Sequence, residues 1–446
     1  MKKLLSFLLI LVLALPCYSA GVGNLMGRTF GDNYGKIKST ISSVTDYFPP
    51  GMVFYSNFGK GNSYNNSSFL IPDYAIGDKR YSYASARTAS APATITDSTG
   101  KIFTVTSANT PRFAGGYYDA TGFHALKGLL IETSSQNKVI KSSVVNDASW
   151  TVGNITANNT DAGTSSPDGT STAPSLTATS SNGTFLLTTS TTGATYSVYL
   201  QRKTGSGEVD ITANGGTSWT AVTLPANGWG RFQVSATSAS QKCGIRIVTN
   251  GDAVYCWGNQ FDTTACMTTL IQQTSSLTRP TDVLKYYIDN NRNRGLDNET
   301  VIIQFTVEGN NFANDGLTRR ILASDTKDRE GYKNPSGAFS FYFPNGTDSA
   351  TVAQSSSANA PVANISYVGA YYSQHKSPYA AAYDNGILAN TGSGDWINPA
   401  WGTYFYIASN NGGTSQINGI IQKIMIFNRV LTANEILTIV KWMKAN

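Results

Sequence analysis

Two indoles, Trp396 and Trp401, sit in a run from Gly392 to Gly402 that also holds Asp395, Asn398 and Pro399. An indole can cover the C–H face of a sugar ring, while a carboxylate such as Asp395 and an amide such as Asn398 can reach its hydroxyls. Gly and Pro at this density favour an exposed loop over a packed element. Tyr379, close to Tyr371, Tyr372 and His375, supplies a further ring. Large rings mostly fill cores, so each aromatic also has a structural reading. Trp396 has loop residues on both sides, whereas Trp401 could instead begin a strand over 403–408 and face the core.

Other chemistries find less support. Hydrolysis of a glycosidic bond needs two carboxylates about 5 to 10 Å apart across that bond, and no Glu-x-Asp-x-x-Glu spacing occurs. The densest acidic cluster, Asp325, Asp328 and Glu330 with Arg329, adjoins a Gly/Pro-containing loop and reads as a solvated turn. His124 and His375 are the two histidines, neither accompanied by a Gly-x-Ser-x-Gly nucleophile motif. With no Cys-x-x-Cys pair, a transition-metal centre is not expected.

The chain's 33 Lys and Arg against 27 Asp and Glu give a formal net charge of +6. Its basic residues are scattered, so nucleic acid is not an expected partner. Only 13% of residues are charged, about half the share usual for globular domains. Solubility must then come from Ser, Thr, Asn and Gly, as in secreted β-proteins.

Lys2 and Lys3 precede an apolar run from Leu4 to Pro16, and Cys17-Tyr18-Ser19-Ala20 offers a small-residue cleavage site. This predicts a bacterial-type secretory signal over 1–20, with cleavage near Ala20 and a secreted or cell-surface protein. The run falls short of the roughly 20 residues that span a bilayer, so no membrane span is expected. Pro16 argues against a lipoprotein signal. Cys243, Cys256 and Cys266 would follow into an oxidising compartment, where one disulfide or three buried thiols are both open readings.

A chain of 446 residues calls for two or three domains. Residues 151–200 look linker-like in their Ser, Thr, Asn and Gly content, yet β-patterned islands recur through them and beyond. Tyr196, Val198 and Leu200 alternate inward, and Asn250-Gly251 predicts a hairpin joining strands at Ile245–Val248 and Val254–Trp257. At the far end, Ile420 to Phe427 reads as a strand. Thr432 and Glu435 form a capping box, and Ile436, Ile439, Val440 and Met443 follow at helical spacing.

Several of these segments resemble known families. The run from Ile426 to Ile436, with Asn428, Arg429, Leu431 and Thr432 in place, resembles the last strand and tail of concanavalin A-like, laminin-G-like jelly rolls. The strand from Gly51 to Phe58 looks like their opening strand, and Tyr383-Asp384-Asn385-Gly386 like one of their strand-turns. Between them, Ser149-Trp150, Pro167-Asp168-Gly169, Tyr196 to Leu200, Gly228-Trp229-Gly230-Arg231 and Val254 to Gln260 resemble a carbohydrate-binding-module-type sandwich of phage head-spike, tail-associated and secreted bacterial proteins. Lys127 to Glu132 resembles the strand preceding that sandwich.

These resemblances imply an all-β protein: a concanavalin A-like jelly roll plus a second β-sandwich, with a short C-terminal helix. The expected order is a signal peptide over 1–20, an N-terminal extension over 21–50, one discontinuous jelly roll from 51–133 and 284–446, and an insertion over 134–283. Three units in series is the alternative. The families imply a glycan or surface polysaccharide as partner, with protein as a second candidate. No cofactor is required, though calcium is a candidate, and Asp262, Asp168, Glu132 and Asp384 are the acids nearest the family-like motifs. Phe261-Asp262 departs from the usual Leu-Glu there. The function implied is a non-catalytic exported binding protein, against a structural or adhesive surface protein of prophage type, or a glycan-cleaving enzyme.

Overall fold

The computed structural model describes residues 52–60, 74–75, 81–84, 93–105, 110–236, 241–272, 277–287, 298–307, 318–324, 330–333, 338–342, 351–354, 361–362, 364–374, 380–392, 404–410 and 415–446. Strands dominate, with one α-helix among the described residues, Ala433–Ala445. The expected all-β class with a short C-terminal helix is what the chain adopts.

The largest sheet has eleven strands drawn from both ends of the chain. Its middle is Asn298–Val307, a long apolar strand flanked by Ser366–Gln374 on one side and Gly419–Phe427 on the other. Gly419–Phe427 then pairs with Gly122–Ile131, and also with Met52–Asn57. Both Asn298–Val307 and Gly419–Phe427 are buried almost throughout, because a sheet covered on both faces wants apolar residues on both. Register slips at Gln422, so that Phe305 pairs with Ile421 while Gln304 pairs with Lys423. This bulge lets Ile421 and Ile424 both join the core despite their odd spacing.

A seven-stranded sheet closes the other side of that core. Leu284 and Tyr286 from Val283–Tyr287, Ile321 and Leu322 from Arg319–Ser324, and Phe405 and Ile407 from Tyr404–Ile407 pack onto Leu129, Val301, Phe305 and Ile424. The opposite face of the eleven-stranded sheet receives the helix. Thr432 accepts from the Glu435 amide while the Glu435 side chain accepts from the Thr432 amide, and Ile436, Ile439, Val440 and Met443 are buried. Asn385 and Gly386 both take positive φ, as a two-residue turn between Ala380–Asp384 and Ile387–Gly392 requires.

Residues 137–271 build two five-stranded sheets of their own around a separate core. Tyr196, Val198 and Leu200 point into it. Trp150 fills it too, its ring stacked on Phe185 at 4.1 Å. The expected hairpin across Asn250-Gly251 does not form. Gly244–Ile247 and Ala253–Asp262 belong to opposite sheets, so the chain arches over the core between them. Gly251 does take positive φ, but a turn residue fixes only the local bend. Ile245 and Ile247 face Val254 and Cys256 across one core, and burying both apolar rows from opposite sides outweighs pairing them side by side. All three described cysteines are free and buried, which decides between the two readings of their pairing.

Candidate functional site

The segment on which sequence reasoning placed sugar binding, with Asp395, Trp396, Asn398 and Trp401, lies outside the described residues, as does Tyr379. Its described flanks belong to different sheets. Ile387–Gly392 ends in the eleven-stranded sheet, and Tyr404–Ile407 lies in the seven-stranded one. Tyr404 is half-buried, with the Lys285 ammonium 4.1 Å from its ring centre. Residues 1–51, and with them the signal-peptide expectation, also lie outside the described residues. No helix among the described residues is long and apolar enough to cross a membrane.

Of the remaining aromatic candidates, Trp150 and Trp229 are buried, each indole N–H donating to a backbone carbonyl, of Val144 and Ser165 respectively, at 3.0 Å. Tyr371 and Tyr372 are buried as well. Trp219 is half-buried, and the Arg246 guanidinium stands 5.0 Å from its ring.

The four acids singled out for calcium are not gathered into one place. Glu132 and Asp262 belong to a sealed polar neck between the two sandwiches. The strands Ser135–Gln136 and Thr278–Arg279 pair there, closing the base of the 137–271 sandwich. Glu132 meets Arg112 at 2.7 Å and Arg279 at 2.6 Å, and accepts from the Thr269 amide and hydroxyl, both at 2.6 Å. Arg112 also pairs with Asp282. Burial pushes the Glu132 carboxyl up, but the two guanidinium groups and the Thr269 donors outweigh it and hold the group below the usual range. Asp262 accepts from Ser135 Oγ at 2.5 Å, Gln260 Nε2 at 2.6 Å and the Thr268 hydroxyl at 3.0 Å. Burial dominates there and raises its pKa.

Asp384 accepts the Tyr367 hydroxyl within the core. Burial and the charge of Asp384 together push the Tyr367 phenol up. Asp168 caps its own turn, accepting from the Thr170 amide at 3.0 Å, and the neighbouring Pro167 carbonyl accepts from the Ile102 amide at 2.8 Å. Among the described residues no group of three or more His, Cys, Asp or Glu side chains gathers as a metal site.

A second junction between the sandwiches, missed by sequence reasoning, is open to solvent. The hairpin joining Arg112–Asp119 to Gly122–Ile131 turns at Ala120 and Thr121, with Gly122 at φ 128. Asp119 Oδ1 accepts from the Thr121 amide and hydroxyl, both at 2.7 Å, and lies 2.9 Å from His124 Nε2. Burial pushes the Asp119 carboxyl up, but the Thr121 and His124 contacts outweigh it and keep the group below the usual range. Tyr117 stacks on His124 at 5.2 Å and donates to the Asn364 carbonyl at 2.8 Å. This hairpin tip faces the segment 220–226 and the strand Gly230–Ser235 across a groove of about 650 Å³.

Residues 307–437 match the family model of the concanavalin A-like lectin/glucanases superfamily, of laminin-G type. No curated protein matches the chain. Solved structures similar to it are receptor-binding domains of botulinum neurotoxins. One is the mosaic serotype C/D domain, 14% identical with a TM-score of 0.28, covering 36% of this chain and 40% of that one. Another is the serotype D ligand-binding domain in complex with N-acetylneuraminic acid, 13% identical with a TM-score of 0.29 over the same shares, 36% and 40%. A third is the DC binding domain in complex with rat synaptotagmin II, 15% identical with a TM-score of 0.30, again over 36% and 40%. The chain thus spans about two fifths of each of these structures.

Proposed function

We propose that this chain is an exported, non-catalytic glycan-binding protein, in which the segment holding Asp395, Trp396, Asn398 and Trp401 meets the sugar. The observation that carries the reading is the concanavalin A-like superfamily match over residues 307–437, which contains that segment. The disposition of the acids supports it. Glu132, Asp262 and Asp384 are buried among protein donors, so these acids do not form a pair facing a bound sugar, as glycosidic hydrolysis needs. The resemblance of the 137–271 sandwich to carbohydrate-binding modules of phage-associated and secreted proteins points the same way. No cofactor is required for sugar binding of this kind, and calcium is a separate question with its own test.

The experiment is a glycan array on the protein lacking residues 1–20, with and without calcium, followed by a reducing-sugar assay on every hit. The reading expects discrete glycan hits and no release of reducing ends. An array without hits contradicts binding, and release of reducing ends contradicts the non-catalytic assignment.

A second reading, adhesion to a protein partner, is favoured by one specific feature. Ile387 and Leu388, on a strand at the end of the eleven-stranded sheet, are 72% and 51% exposed. Exposed apolar side chains on such a strand suit a protein surface better than a sugar.

A further inference from the structure

The geometry points to a second ligand site, for one neutral sugar ring, in the groove between the two sandwiches. It rests on the glycan reading for its ligand class but uses none of the residues at Trp396. The groove's volume of about 650 Å³ falls inside the range of roughly 300 to 1,000 Å³ typical of small-molecule sites, which favour domain junctions. Asp119, Thr121 and Asn364 line one side, and Thr220, Leu224 and Gln233 the other.

The hydrogen-bond inventory selects the ligand. Asp119 commits Oδ1 to Thr121 and His124, whereas its Oδ2 has a single long contact, 3.4 Å from Asn364 Nδ2, among the described residues. Gln233 Oε1 is buried at the groove wall with no donor among the described residues. A buried acceptor left unmade is costly, and rotation of the Gln233 amide into the groove would relieve that cost if an incoming donor met it. Both acceptors therefore want O–H groups. The Thr220 hydroxyl can donate or accept, the Thr121 hydroxyl, whose proton goes to Asp119, can still accept, and Leu224, with Phe232 and Met267 beneath, offers apolar surface for C–H faces.

Charge argues for a neutral ligand. Asp119 repels an anion, and Arg231, which also lines the groove, is buried with its guanidinium engaged by protein groups. It lies over the Tyr199 ring at 5.0 Å and donates to the Thr268 carbonyl at 2.7 Å. A polyol ring with donors on its edge and C–H groups on its face meets every group described.

The test is saturation-transfer NMR with the methyl glycosides of glucose, galactose, mannose and N-acetylglucosamine. The proteins are wild type, Trp396→Ala, Asp119→Asn and Ala221→Trp, the last introducing a bulky ring at an exposed position on the groove wall. The site predicts transfer to at least one glycoside that persists in Trp396→Ala. With the groove variants made in the Trp396→Ala background, Asp119→Asn lowers that affinity about tenfold, as loss of a charge-assisted hydrogen bond implies, and Ala221→Trp abolishes the transfer. Transfer that vanishes in Trp396→Ala overturns the groove and leaves the Trp396 site standing. Transfer unchanged in both groove variants also overturns the groove. Transfer that ignores Trp396→Ala but is lost in both groove variants upholds the groove and removes the Trp396 site. Should Ala221→Trp fail to fold, the near-isosteric Asp119→Asn decides alone.

Discussion

The two sandwiches meet at two places whose carboxylates behave in opposite ways. At the neck, Glu132 is 1% exposed and each of its oxygens has a short protein donor, from Arg112, Arg279 or Thr269. At the groove, the Asp119 side chain is 22% exposed and one oxygen is barely engaged. A carboxylate saturated by guanidinium and hydroxyl groups holds a junction together. One that is half-satisfied beside water has capacity left for a ligand. Acidic residue type was common to both positions, and the difference lies in what the rest of the chain brings to each.

The largest expected effect comes from unbalancing the neck. Glu132→Ala leaves Arg112 and Arg279 facing each other in a buried site, and removing one partner of a buried pair typically costs about 3 to 5 kcal/mol. Urea denaturation reads this directly. A loss below about 1 kcal/mol would mean that water enters the neck and that the seal described here is wrong.

Acid titration separates the neck from the surface more finely. Glu132 is held below its ordinary value of 4.5 in the folded protein, so the stability it contributes is present above that value and is lost as pH falls through the folded one. Asp262 has the opposite sign. Its folded pKa is raised above 3.8, so it favours folding as pH falls. Melting temperature measured downward from neutral pH should decline below about pH 4.5 if Glu132 dominates. In Glu132→Gln, provided enough folded protein survives to be measured, the decline should be shallower. An equal slope in both proteins would assign acid sensitivity elsewhere.

Smaller effects belong to the open junction and to calcium. Asp119→Ala removes hydrogen bonds at a partly exposed turn, which should cost about 1 kcal/mol of stability, well below the neck variant. A cost equal to that of Glu132→Ala would erase the contrast between the two places. Calcium added after chelation should leave the melting temperature unmoved, because Glu132 and Asp262 are already occupied by protein donors and Asp384 is buried against the Tyr367 hydroxyl, and a ligand that binds only the folded state must raise apparent stability. A clear rise would put an oxygen-ligand site at the Asp168 turn or outside the described residues.

Local order was the legible part. The Thr432–Glu435 box and the four buried residues of the last helix follow from spacing alone, as does the inward alternation of Tyr196, Val198 and Leu200. The Asn250-Gly251 reading failed because a turn signal names a bend and not a partner strand. Glu132 stood out only within a strand motif. Its partners Arg112 and Arg279 come from opposite sides of the intervening sandwich and Thr269 from its last residues, and no local pattern joins residues that far apart. The groove was illegible for the same reason, since Asp119, Gln233 and Asn364 converge from three distant segments. Spacing could propose Trp396 because the ring, the carboxylate and the amide lie within one short run of the chain, Gly392 to Gly402.

The central claim, glycan binding through the Trp396 segment without catalysis, is tested most directly by calorimetric titration of the strongest array glycan into wild type and Trp396→Ala, with circular dichroism on both. The account predicts saturable binding to wild type and an affinity loss of about tenfold or more in Trp396→Ala, as expected for a stacked ring worth roughly 1.5 kcal/mol, with the spectrum unchanged. Equal affinity in the two proteins, or unfolding of Trp396→Ala as expected for a core indole, would contradict it.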